Sequence, residues 1–157
     1  MQVFVLRHGQ AEPQLTTDEA RNLTEKGRVD VAASVKNSLS ELLKVQEIWA
    51  SPLVRAQQTA EIVRDILAQN GVSLQIKTTS LITPESDPLR FFDELQVANT
   101  NSVLLASHQP FVGDFIDFFC GSPRGAHPMN TSSMALIDCD VAAAACGELR
   151  WLRHVVI

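Results

Sequence analysis

Apolar positions along this chain fall into short solid runs and into stripes at helical spacing, and the two kinds alternate. Val3-Phe4-Val5-Leu6 is apolar at every position, which predicts a central strand covered on both faces. Ala32, Val35, Leu39 and Leu42 then recur at steps of three and four, predicting one amphipathic helix capped by Thr24 and reaching about Leu43. Glu47 to Ala50 reads as a second strand. After it, Ser51 is expected as N-cap and Pro52 at the first helical position of a helix running to about Gln69, with Leu53, Ala56, Ala60, Val63 and Leu67 inward and Asn70-Gly71 as its stop. Leu74 to Thr78 predicts a third strand, and Leu89 to Val97 a short helix entered past Pro84, Asp87 and Pro88. Val103 to Ala106 predicts a fourth strand, and Pro110 opens a helix through Phe111, Phe115, Ile116 and Phe119 that Gly121 ends. Met134 to Cys139 and Leu149 to Val156, joined around Ala145-Cys146-Gly147, read as a closing antiparallel pair. The alternation implies an α/β domain with a mostly parallel sheet, and no linker or repeat divides residues 1–157.

Composition narrows the class. The chain has 157 residues, 45% of them apolar, enough for a sizeable core and too apolar for a disordered segment. Thirteen Lys and Arg against 18 Asp and Glu leave a net charge of −5, which offers no electrostatic footprint for nucleic acid or an anionic membrane. Any bound anion must be gripped locally. Arg7 interrupts the first apolar run, so neither a signal peptide nor a spanning helix is expected. Cys120, Cys139 and Cys146 are odd in number and lack a C-x-x-C pair, so they are expected as buried small apolar residues in a reducing cytoplasm.

In an open α/β sheet, ligands bind beyond the carboxyl ends of the strands. Past strand one stand Arg7-His8-Gly9; past strand two, Ser51-Pro52 with Arg55 one turn on; past strand four, Ser107-His108-Gln109-Pro110. Two arginines and two histidines therefore converge on one edge. A guanidinium suits a phosphoryl group through paired donors, and a neutral imidazole is a competent nucleophile toward phosphorus. The helix N-termini near Pro52 and Pro110 add positive field at the same edge. His127 and His154 have no metal-ligand spacing to each other or to His8 and are expected to be structural.

Leu6-Arg7-His8-Gly9, Leu23-Thr24-Glu25-Lys26-Gly27, the segment Ser51-Pro52-Leu53-Val54-Arg55-Ala56-Gln57-Gln58-Thr59 and Ser107-His108 together resemble the histidine phosphatase superfamily, which includes the cofactor-dependent phosphoglycerate mutases. The likeness runs in the family's order from residue 2 to about residue 116. Met1-Gln2-Val3-Phe4, Leu81-Ile82-Thr83-Pro84 and the small size look most like its bacterial phosphohistidine phosphatase (SixA) branch. The resemblance implies a three-layer α/β/α sandwich of phosphoglycerate mutase type, in a minimal form without a cap insertion. It implies His8 as the nucleophile, with Arg7, Arg55 and His108 holding the equatorial phosphoryl oxygens. It also suggests Arg21, Gly9 and Ser51 as further substrate contacts. Neither a cofactor nor a metal is implied, because the arginines and His108 supply the positive charge.

Relatives that cleave phosphomonoesters place a Glu between strands three and four to protonate the leaving alkoxide. Here that stretch, Leu81 to Pro88, has no clear match, although Glu85 and Asp87 are candidates beside their plainer reading as turn and cap residues. An imidazole leaving from a P–N bond needs less protonation, so protein phosphohistidine is the favoured substrate. The short 79–101 segment also leaves no roof over the His8 pocket, which is expected to be shallow and open to a protein surface. Partners implied by the family are phosphotransfer domains of sensor kinases or phosphohistidine carriers of sugar-uptake systems, which would place the chain in signal transduction. A monomer is compatible with the sequence.

Rival chemistries fare worse. No cysteine starts a C-x5-R motif, which excludes the cysteine-dependent phosphatases. Asp138-Cys139-Asp140 imitates an aspartate-nucleophile motif, but Ala142 breaks the pattern and too little chain follows. No Gly-rich nucleotide loop is present. Two alternatives stay open: a small-molecule phosphomonoesterase using Glu85 or Asp87, and a phosphohistidine-binding protein without catalysis.

Overall fold

In the computed structural model, residues 1–155 are described. Six strands, β1 (Gln2–Arg7), β2 (Glu47–Ala50), β3 (Ile76–Thr78), β4 (Ser102–Ser107), β5 (Met134–Cys139) and β6 (Gly147–Arg153), form one sheet in the order β3-β2-β4-β1-β5-β6. The first four run parallel. β5 runs antiparallel to β1, and β6 antiparallel to β5. Helices α1 (Glu25–Asn37), α2 (Leu39–Leu42), α3 (Val54–Gln69), α4 (Pro88–Val97) and α5 (Phe111–Cys120) complete the fold.

Side chains on a strand alternate between faces, so the fully apolar strands feed two separate cores. Val3, Val5, Trp49, Val103, Leu105 and Ile137 pack with Phe91, Phe92 and Leu95 of α4 and with Phe111, Phe115 and Phe119 of α5. Phe4, Leu6, Ile48, Ala50, Leu104 and Ala106 pack with Val31 and Val35 of α1 and Ala60, Val63 and Leu67 of α3. The expected three-layer sandwich is the result. No helix among the described residues is long and apolar enough to cross a membrane.

Several boundaries differ from the sequence reading. The helix expected from Thr24 to Leu43 breaks at Ser38, whose backbone (φ −120°, ψ 20°) leaves the helix and whose hydroxyl accepts from Arg153 Nη1 at 2.8 Å. Thr24 does cap α1, its hydroxyl accepting from Gly27 N–H at 3.0 Å. Ser51 is not the N-cap of α3: Leu53 holds that place with extended backbone, and the Ser51 hydroxyl faces His108. Pro110 is likewise the cap residue of α5, one place before the helix. β3 begins at Ile76, later than expected. β6 begins at Gly147, inside the expected turn, because a Cβ there would stand 2.6 Å from the Phe119 ring; the missing side chain lets the strand lie against α5. Val156, the expected end of that strand, lies outside the described residues. Two 3-10 turns, Asp18–Ala20 and Ser80–Ile82, carried no sequence signal.

Candidate active site

β1 ends at Arg7 paired with Ser107 of β4, and His8 N–H donates to the Ser107 carbonyl at 2.9 Å, so the His8 and His108 loops leave the sheet side by side. Their imidazole centroids are 5.1 Å apart. Ser132, in left-handed backbone (φ 65°), donates its N–H to the carbonyls of both Arg7 and His8 at 3.1 Å and closes the β5 side.

The His8 loop is pressed onto helices from two directions. Gly9 N–H donates to Thr59 Oγ1 of α3 at 3.2 Å, while Thr59 Oγ1 donates to the Arg55 carbonyl. A Cβ on Gly9 would lie 2.8 Å from the Gly27 carbonyl, and one on Gly27 would lie 2.2 Å from the Gln10 carbonyl. Both glycines are needed because backbone meets backbone there. Gln58 accepts from Leu23 N–H and donates to Asn22 Oδ1, both at 2.8 Å, pinning the far end of the 11–22 excursion that an Ala11–Leu23 bridge closes.

His8 is 7% exposed, and its Nδ1 lies 2.7 Å from the Gly9 carbonyl oxygen. A carbonyl only accepts, so Nδ1 carries the proton and Nε2 keeps its lone pair. Desolvation, then the charges of Arg55, Arg7 and Arg21, outweigh that hydrogen bond and push the His8 pKa down to about 4. The ring is therefore neutral at pH 7, with Nε2 unprotonated. His108 is 1% exposed and lies with Nε2 2.8 Å from the Ser51 hydroxyl; desolvation, then the neighbouring His8 and Arg55, push its pKa down to about 3.

Arg7 Nη1 donates to the Met129 carbonyl at 2.8 Å, and burial followed by the nearby Arg55 charge lowers its pKa. Arg55, buried in the first turn of α3, donates Nη1 to the Asp18 carbonyl (2.8 Å) and Nη2 to Asp18 Oδ2 (3.1 Å). Each of these residues keeps one polar atom with no partner. Of five such buried side-chain atoms among the described residues, three are Arg7 Nε, Arg55 Nε and His108 Nδ1, and a fourth is the hydroxyl of Ser132 beside them. A buried polar atom without a partner costs about 1–3 kcal/mol, so four of them on residues at one strand edge, two of them arginine donors, call for a polar ligand.

The four residues expected at the centre are brought together, and Gly9 and Ser51 lie against them. Arg21 stands at the rim, donating Nε to the Glu12 carbonyl (2.7 Å) and Nη1 to Asp18 Oδ1 (3.1 Å). Glu85, Asp18, Glu19, Leu53, Thr83 and Pro84 line a groove of about 300 Å³, in which Asp18 is the residue that also holds Arg55. Asp87 is engaged elsewhere: its carboxylate caps α4 by accepting from Leu89 N–H at 2.9 Å. The 79–101 segment buries Phe91, Phe92 and Leu95 against the sheet and forms no lid. The imidazole of His8, only 7% exposed, nevertheless lies deeper than a shallow pocket would hold it. Asp18 was missed in the sequence, where only its place three residues before Arg21 could have pointed to it. Thr59 and Gln58 lay in the quoted motif without an assigned task.

The remaining histidines are hydrogen-bonded within the fold: His127 Nδ1 lies 2.8 Å from Asp117 Oδ1, and His154 Nδ1 2.6 Å from the Ser133 hydroxyl. No group of three His, Cys, Asp or Glu among the described residues is arranged to hold a metal ion. All three cysteines are free; Cys139 is buried and Cys120 half-buried, but Cys146 is exposed in the β5–β6 turn, contrary to the expectation of burial.

Comparison with known proteins agrees with this geometry. The family pattern described as Histidine phosphatase superfamily (branch 1) matches residues 3–79. The chain is 30% identical over 159 aligned residues to the phosphohistidine phosphatase SixA of Escherichia coli, covering 96% of this chain and 92% of that one. It is 33% identical to the SixA homolog of Haemophilus influenzae, covering 74% and 75%. The solved structure of the protein histidine phosphatase SixA complexed with tungstate superposes with a TM-score of 0.85 at 29% identity, covering 98% of this chain and 97% of that one.

Proposed function

This chain belongs to the histidine phosphatase superfamily, and from that premise we propose that it is a hydrolase that removes the phosphoryl group from protein phosphohistidine. The observation that carries the reading is the gathering of unpartnered Arg7 Nε, Arg55 Nε and His108 Nδ1 beside the bare Nε2 of His8. These atoms suit three phosphoryl oxygens around an attacking nitrogen, and the relative that resembles this chain across its length binds tungstate, a tetrahedral oxyanion.

His8 Nε2 attacks phosphorus as the P–N bond of the substrate breaks. The leaving imidazole already carries a proton on its other nitrogen and departs neutral, so no general acid is required. Arg7 and Arg55 hold the transferring group and neutralise its charge, with His108 as the third contact. Water then attacks the phosphoryl group on His8, releasing inorganic phosphate and restoring the free Nε2. Arg21, at the rim, meets the incoming substrate. The phosphohistidine carrier is read as a sensor-kinase phosphotransfer domain or a sugar-phosphotransferase carrier, in a cytoplasmic signalling role that the three unpaired cysteines suit.

The test offers the chain a phosphorylated phosphotransfer domain beside a panel of phosphoesters. Faster turnover of the protein substrate, with an acid-labile, base-stable phosphate trapped on His8 and no turnover by a folded His8→Ala variant, is expected. Phosphate on a serine or aspartate would sink the mechanism. Preference for the esters, lost in Glu85→Gln, would favour the small-molecule reading that Glu85's place in the groove it shares with Asp18 keeps open. Binding without turnover would leave only a recognition module.

A further inference from the structure

We propose that Asp18 is a positioning residue for the phosphoryl site, aiming the Arg55 guanidinium and tying it to Arg21 at the rim; this rests on the phosphoryl-transfer reading of the site. Arg55 is 4% exposed and reaches the site from α3, where nothing in its own helix fixes the rotation of its planar head. Asp18 supplies that fix from the opposite side. Its backbone oxygen accepts from Nη1 at 2.8 Å and its Oδ2 from Nη2 at 3.1 Å, so one edge of the fork is held at two points. The Nε atom is then the polar atom of that guanidinium left without a partner. A planar fork pinned along one edge presents its remaining N–H in a set direction, which a single hydrogen bond would not achieve.

The same carboxylate is shared. Its Oδ1 accepts from Arg21 Nη1 at 3.1 Å, and Arg21 Nε is in turn fixed on the Glu12 carbonyl at 2.7 Å. Asp18 thus joins the buried arginine to the rim arginine through one side chain, 43% exposed, on the 3-10 turn Asp18–Ala20. Burial alone would favour its neutral form, but the hydrogen bonds and charges of Arg21 and Arg55 outweigh it and keep the carboxyl ionised. No residue of the turn is itself buried, and the Asp18 carboxylate and carbonyl tie it to Arg55.

The proposal is tested by a double-mutant cycle on the full chain, with Asp18→Ala, Arg55→Lys and the double variant acting on a phosphohistidine-bearing protein. If Asp18 acts through the Arg55 fork, Asp18→Ala lowers kcat roughly tenfold in the native background and less than about threefold once Arg55 is Lys, with little change in Tm. Asp18→Asn, which retains one acceptor oxygen, falls between. Equal losses in both backgrounds, or a kcat within about twofold of native in both Asp18 variants, would overturn the proposal. If the native chain instead prefers phosphoesters, the substrate reading fails, and the same cycle run on the preferred ester judges Asp18 separately.

Discussion

The two ends of the sheet both carry charged and polar groups and treat them differently. At the far end, about 20 Å along β1 from His8, the start of β1 and the end of β5 line a depression of about 400 Å³ with Asp138, Asp140, Glu148 and Arg150. There the charges find one another. Arg150 pairs with Asp138 and Glu148, and the terminal ammonium of Met1 donates to the Cys139 carbonyl at 2.8 Å. At the His8 end, Arg55 has one carboxylate partner in Asp18, but it lies near the like-charged Arg7 and two neutral histidines, and buried polar atoms lack partners. The far end is solvated surface at rest. The near end is held in an arrangement that is costly without an anion, which is how a fold stores binding capability.

The strongest way to break this contrast is to alter the fork at the near end. Arg55→Lys keeps the charge but not the geometry and is expected to lower kcat roughly 100- to 1,000-fold in a phosphate-release assay, with the fold intact by circular dichroism. Activity near the native level would mean that Arg55 lies outside the phosphoryl contacts.

A second test sharpens the contrast through pH. The folded His8 and His108 titrate at about 4 and about 3, below the ordinary value near 6.5 of an unfolded chain. Between these values the unfolded state binds protons that the folded state refuses, so the stability present above about pH 6.5 is lost as pH falls toward 4 and then 3. Urea midpoints measured from pH 7 to pH 5 should decline, and His108→Gln should flatten the decline. An unchanged slope in that variant would show that His108 is not buried in neutral form.

The smallest effect belongs to the far end. Asp138→Asn removes one partner of the half-exposed Arg150, and because exposed ion pairs contribute about 0–1 kcal/mol it should leave turnover within about twofold and Tm within a few degrees. A large loss of turnover there would break the division between the two ends. The topology accounts for the imitation of an aspartate-nucleophile motif at this position: β5 is antiparallel to β1, so its carboxyl end delivers Asp138 to the edge away from His8.

The strand cores and the central residues were legible in the sequence because they depend on local rules. A strand buried on both faces must be apolar throughout, and parallel strands put their carboxyl ends on one edge, so Arg7, His8, Arg55 and His108 could be brought together before any coordinates. Ser51 was legible as a member of the site but not in its local role, since a serine before a proline signals a cap equally well whether its hydroxyl meets a helix N–H or an imidazole. Asp18 was illegible because its significance lies in reaching across to α3, 37 residues on, from a 3-10 turn without apolar periodicity. The break at Ser38 and the early start of β6 likewise depend on partners, Arg153 and Phe119, that sequence spacing does not disclose.

The contact of Gly9 with Gly27, and of Gly27 with Gln10, has a consequence for how the molecule opens. With no side chain on either glycine, the His8 loop and the first turn of α1 meet backbone to backbone, cross-tied by the Thr24 N–H on the Gln10 carbonyl at 2.9 Å and by the Thr24 hydroxyl on Gln10 Oε1 at 2.9 Å. The His8 loop is therefore held in place as long as α1 stays docked. Amide hydrogens on both sides of that contact are expected to exchange with solvent as one cooperative unit, which would make the His8 loop as long-lived as the helix against which it is laid.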